Sequence, residues 1–117
     1  IIVPKALEIG PRLLNTFTTA YKFGIKIAFG TDSGVSYHGE NAKEFLYMVK
    51  GGMSEMEAIR SATVVASELL GIDDKLGTIE SGKIADIIAV TGNPVKDITS
   101  LQSVVFVMKE GIIYKSE

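Results

Sequence analysis

The stretch whose reading decides the fold is IAFGTDSGVSYHGENAKEF, residues 27–45. An apolar run stops at Gly30-Thr31-Asp32. A glycine-bearing loop then carries the only histidine of the chain, His38, before a helical pattern resumes. The run 25–29, IKIAF, is short, apolar and bounded by glycines. That is the pattern of a strand buried on both faces, as in parallel sheets. The carboxyl ends of such strands are where α/β folds build their sites, and Asp32 stands at that place.

Working outward on the N-terminal side, residues 4–23 carry a helical face of Ala6, Leu13, Phe17 and Ala20, with Leu14 and Tyr21 beside it. Gly10-Pro11 interrupts this pattern. The regular helix is predicted to begin at Pro11, whose fixed φ suits a first helical position, and Gly24 is its stop signal. Beyond the loop, Asn41 is expected to cap a helix through Lys50 with Phe45, Met48 and Val49 on its apolar side. Gly51-Gly52 ends it. Ser54 with Glu57 forms a capping box that opens a helix over 55–70. Met56, Ile59, Ala62, Ala66 and Leu69 or Leu70 face inward there, and Gly71 terminates it.

After Gly71 the period changes. Gly77, Gly82 and Gly92-Asn93-Pro94 mark turns. Residues 86–90 read as a strand. Residues 104–109 and 112–115 read as a hairpin about Glu110-Gly111. Ile84, Ile87, Ile88, Val90, Val104, Phe106 and Val107 are the expected core of this part. The chain thus divides into an α/β part, 1–71, and a mostly β part, 72–117, with a boundary between Gly71 and Lys75.

Composition bounds the function. The chain has 117 residues, with 46% hydrophobic and 22% charged residues, ordinary for a globular domain. A net charge of −2 argues against a nucleic-acid binder, which needs a basic patch. The absence of cysteine excludes a disulfide scaffold and thiolate chemistry, and fits a cytoplasmic protein. No apolar run approaches the roughly 20 residues that span a bilayer, so no membrane role is expected. The first residues lack the basic start and apolar core of a signal peptide. With no initiator Met, they point to a fragment or a processed product.

Three chemistries compete for Asp32. A phosphate-binding loop is disfavoured, because the Gly-Lys-Ser/Thr ending is missing and no lysine precedes Lys43 in the loop. An aspartic-protease triplet, Asp32-Ser33-Gly34, would need a homodimer sharing one proton between two carboxylates. That architecture is nearly all-β, whereas this Asp lies between helical patterns. A metal-assisted hydrolase needs a carboxylate that binds the ion or takes a proton from the attacking water. A catalytic zinc usually takes three protein ligands, and one His with no Cys does not readily complete that set. The bland alternatives stand beside these. Asp32 can close an Asx turn in its own loop, His38 can be a solvated loop histidine, and Glu40 and Asn41 can serve as helix-start residues.

The string GIKIAFGTDSGVSYHGENAKEFLYMVKGGMSEMEAIRSAT, residues 24–63, resembles the last barrel strand and following helices of the amidohydrolase superfamily. Its imidazolonepropionase-like and Xaa-Pro dipeptidase (prolidase-type) branch is the most similar. LGTIESGKIADIIAVTGNPVKDITSLQSVVFVMKEGIIYK, residues 76–115, is similar to the C-terminal segment that returns to a small β-sandwich beside the barrel. The resemblance implies an α/β fold: the C-terminal fragment of a (β/α)8 TIM-like barrel, its last strand and flanking helices, followed by sandwich strands. It also implies that Asp32 is a metal ligand and general base, for Zn²⁺ or another divalent ion, one or two in number. Ser33, Gly34 and His38 would lie in the substrate-binding loop. The reaction implied is hydrolysis of a C–N bond in a small amide, dipeptide or cyclic amide.

The departures are as informative. A barrel takes about 250 residues, and the family's His-x-His pair, its Lys or carboxylate bridge and two further histidines are absent. The expectation is therefore a catalytic fragment that is inactive alone and holds its metal only with residues supplied from elsewhere. Helix faces built to cover a barrel would be left bare, at roughly 25 cal/mol per Å². Self-association, or pairing with the missing N-terminal part, is expected. The rival is a non-catalytic folded remnant that acts as a packing or interaction module, in which Asp32 is silent.

Overall fold

The computed structural model describes the backbone of residues 2–34 and 36–117, and the side chains within that range from residue 9 onward. The elements are α1 (Ile2–Lys22), α2 (Lys43–Lys50), α3 (Glu55–Ala62), α4 (Val64–Leu70), β1 (Ile87–Val90), a 3-10 helix (Ile98–Gln102), β2 (Val104–Lys109) and β3 (Ile112–Ser116). The strands form one antiparallel sheet in the order β1-β2-β3.

Helix α1 runs through Pro11 instead of beginning there. Proline removes one N–H and crowds the preceding turn, yet the helix continues on both sides of it. Of the expected inner face, Phe17 and Tyr21 pack on the core, whereas Leu13 is exposed. The Ala6 side chain lies outside the described residues. The C-terminus is a Schellman motif, in which Ile25 N–H donates to Ala20 O and Gly24 N–H to Tyr21 O. Gly24 takes φ 75°, as that motif requires.

Residues 25–29 form neither helix nor strand. The predicted burial on both faces is also absent: Ile25 is 58% exposed and residues 27–29 are half-buried. A parallel strand is defined by its neighbours, and none of the described residues pairs with this segment as a strand.

Helix α2 starts at Lys43, with Ala42 at the cap position and no side-chain cap. Asn41 therefore does not cap it. Its carbonyl accepts from Glu44 N–H in the preceding turn. The Ser54–Glu57 capping box is present at α3. The helix predicted over 55–70 is broken at Thr63, at φ −122° and ψ −89°, into α3 and α4. The inward face is displaced as well. Ala58, Ser61 and Ser67 are buried, while Met56, Leu69 and Leu70 are exposed. Gly71, left-handed, ends α4 as expected.

The hairpin forms as read. Glu110 and Gly111 both have positive φ, 51° and 79°, the requirement of a two-residue type I′ turn. Asp86 Oδ1 accepts from the Glu110 N–H at 2.8 Å, which ties the turn to the start of β1. The sheet is more exposed than expected: Ile84 and Ile88 are not core. The core instead unites Met48, Met53 and Ala58 with Ile98 and Leu101 of the 3-10 helix. That helix is begun by Asp97, whose carboxylate accepts from Thr99 N–H. No described helix is long and apolar enough to cross a membrane.

Candidate active site

The site is built from the apolar segment 25–29 and the loop that follows. At the end of the segment, Phe29 N–H donates to Ser61 O at 3.0 Å. The Phe29 ring stacks on Phe45, with centroids 4.3 Å apart and planes 29° from parallel. Phe45 sits in the first turn of α2, so one aromatic contact joins the chain before the loop to the chain after it.

Asp32 comes three residues beyond Phe29. It adopts φ 46°, a left-handed conformation that Asp tolerates better than most residues, and it is exposed. Among the described residues its carboxylate has no hydrogen-bond or ion-pair partner, so the bonds of an Asx turn are not made there. Ser33 Oγ is paired with Ser36 Oγ. A side chain at Gly34 would meet nothing within 4 Å. His38 and Gly39 lie in a turn that Glu40 N–H closes onto Tyr37 O at 3.2 Å, and His38 is exposed. Glu40 is engaged with Lys43 at 3.0 Å. The four residues singled out from the sequence, Asp32, Ser33, Gly34 and His38, thus share one open loop. No group of three His, Asp or Glu side chains that could hold a metal ion occurs among the described residues. Among the described residues, what the loop offers an ion is the unengaged Asp32 carboxylate, which fits a single ligand and not a complete site.

The strongest electrostatic feature lies in the scaffold. Glu57 Oε2 accepts from Tyr21 Oη and Ser54 Oγ, each at 2.7 Å, and from Ser54 N–H at 3.0 Å. The Tyr21 hydroxyl, then the Ser54 hydroxyl and amide, hold the Glu57 carboxyl at a pKa of about 2. The same bond raises the Tyr21 phenol. The capping box therefore also bolts α1 to α3. A cavity of about 760 Å³ lies between α2–α4 and β1, with Phe29, Phe45, Ile59, Leu70, Ile87 and Leu101 in its lining. Asp32 and His38 are not part of that lining, whereas Asn41 and Ala42 at the loop's end are.

Phe29 and Phe45 were legible only as apolar residues of two separate elements. Their stack, the feature that closes the loop, has no signature in a spacing of sixteen residues.

The amidohydrolase family profile matches residues 3–115, and the chain belongs to that family. It is 37% identical over 107 residues to an ochratoxinase of Aspergillus niger, across 87% of this chain and 22% of that protein. A crystal structure of a Xaa-Pro dipeptidase with methionine bound in its active site superposes at a TM-score of 0.91, with 57% identity over 97% of this chain and 28% of that one. A prolidase complexed with N-methylphosphonate-L-proline superposes at 0.81, with 30% identity over 89% of this chain and 26% of that one. The chain therefore spans less than a third of each of these relatives.

Proposed function

We propose that this chain is the part of a metal-dependent amidohydrolase that supplies Asp32 to the metal centre. Residues 1–71 are the end of its barrel and 72–117 the returning strands of its β-sandwich. The parent enzyme is cytoplasmic and hydrolyses an amide C–N bond in a small substrate, of which a Xaa-Pro dipeptide is the leading class. The observation that carries this reading is the unengaged carboxylate of Asp32, held out at φ 46° beyond the apolar segment 25–29. The 57% identity to a Xaa-Pro dipeptidase supports the substrate class.

Asp32 would hold Zn²⁺ or another divalent ion together with ligands from outside this chain. Such an ion would supply Lewis-acid polarisation of the scissile carbonyl and acidify an attacking water. The Asp32 carboxylate would take a proton from that water and return it to the leaving nitrogen, which would depart as a neutral amine. Ser33, the open backbone at Gly34 and His38 face the substrate from the same loop. His38 has the chemistry to meet a substrate carboxylate.

The test is Asp32→Asn in the complete protein, with hydrolysis of Xaa-Pro dipeptides and zinc content measured together. Loss of both supports the assignment. Full activity in the variant would return the chain to the reading of a non-catalytic packing module. The isolated 117-residue chain is expected to hydrolyse nothing.

A further inference from the structure

We propose that Phe29 and Phe45 are positioning residues for Asp32, acting as a clamp that closes the base of the site loop. This rests on Asp32 being the ligand and base described above. The Asp32 carboxylate is oriented by no bond among the described residues, and Gly30 and Thr31 separate it from Phe29. Its placement is therefore set by where the loop starts and ends. At the start, the backbone of Phe29 is tied to α3 through the Ser61 carbonyl at 3.0 Å. Ser61 is buried at 1% exposure, with its own hydroxyl on Ala58 O. At the end, Phe45 is carried by the first turn of α2, whose next turn contributes the buried Met48. The stack between the rings, 4.3 Å apart, joins these two anchored points.

Both rings also line the cavity between the helices and β1, so one side of the clamp is not packed by this chain. Without strand pairing along 25–29, the Ser61 bond, the ring stack and the packing of Ile27 and Phe29 on the core hold that segment's end. Loss of the stack frees one end of a thirteen-residue connection, 30–42, and lets the carboxylate wander. Misplacement of a reacting group by about 1 Å can cost on the order of 100-fold in rate.

The experiment uses the complete protein and compares Phe29→Leu, Phe45→Leu, Phe29→Tyr and Phe17→Leu with Asp32→Asn. Phe17 is an aromatic of the same core that lies away from the loop. Readouts are kcat and KM on a Xaa-Pro dipeptide, zinc affinity by competition, and amide exchange over 30–42 in the metal-free protein. Phe29→Leu and Phe45→Leu should each lower kcat by about 10- to 100-fold with KM unchanged, weaken zinc binding and speed exchange in the loop. Phe29→Tyr, which keeps a stacking ring, should restore all three. Phe17→Leu should lower stability only. If both leucine variants at the clamp behave like Phe17→Leu while Asp32→Asn is inactive, the clamp is refuted and the role of Asp32 stands. If Asp32→Asn keeps activity and zinc, both fall. Should Phe29→Leu fail to fold, Phe45→Leu removes the same stack and decides the matter.

Discussion

Replacing Gly51 with alanine should destabilise the protein, although a general rule predicts the opposite. Gly51 closes α2 at φ −77° and ψ −4°, a conformation any residue adopts. Without other effects, alanine would gain about 0.4–1 kcal/mol by restricting the unfolded chain. The surroundings reverse this sign. A Cβ at Gly51 would fall 2.5 Å from Phe17 Cε1, closer still to Cδ1, and 3.3 Å from the backbone oxygen of Met48. The Met48 carbonyl is held by the helix, so the Phe17 ring must give way and lose part of its packing on the core. Overpacking of this kind costs about 1–3 kcal/mol. The balance is a net loss centred on about 1.3 kcal/mol and reaching about 2.6 kcal/mol, once the entropic gain is subtracted. The assay is urea unfolding of wild type, Gly51→Ala, Phe17→Ala and the double variant. In the Phe17→Ala background the ring is gone, and Gly51→Ala should become neutral or stabilising. An equal cost of Gly51→Ala in both backgrounds would refute the argument, because the clash would then not be with Phe17.

Three further outcomes are expected. Bonds from Tyr21 and Ser54 depress Glu57 to about 2 in the folded protein, from an ordinary 4.5. Their stabilisation is fully present above pH 4.5 and is lost as pH falls toward 2, so acid unfolding of Glu57→Gln should lack that component. Leu101→Ala should cost about 2 kcal/mol, the low end for a buried leucine, since Leu101 already borders the open cavity. An urea midpoint unchanged by that substitution would show that the 3-10 helix is not part of the core. The isolated chain should self-associate at micromolar concentration through exposed apolar residues such as Leu13, Phe23, Leu69 and Leu70. A monodisperse monomer in light scattering would count against this.

Some signals that are local in the chain were legible in it, although the expected helix start at Pro11 and cap at Asn41, equally local, were overturned. The Gly24 and Gly71 helix stops, the Ser54–Glu57 box and the Glu110-Gly111 turn each depend on a few adjacent residues, and each formed as read. The loop bearing Asp32, Ser33, Gly34 and His38 was also visible, as the abrupt end of an apolar run. Features that depend on distant partners were not. Residues 25–29 have the composition of a buried strand but no described neighbour to pair with, so they form no strand. The break at Thr63 split one amphipathic pattern into two helices and moved burial to Ala58, Ser61 and Ser67. Ile98 and Leu101 became core because the 3-10 helix reaches back to α2 and meets Met48, across some fifty residues that no periodicity connects. By itself, the sequence determined the Ser54–Glu57 cap, the Gly24 and Gly71 stops, the Glu110-Gly111 turn and the residue types offered to the site. Tertiary structure alone decided which apolar side chains are inside, and that two phenylalanines close the loop. Burial and stacking are relations between residues distant along the chain, whereas caps and turns are relations between neighbours.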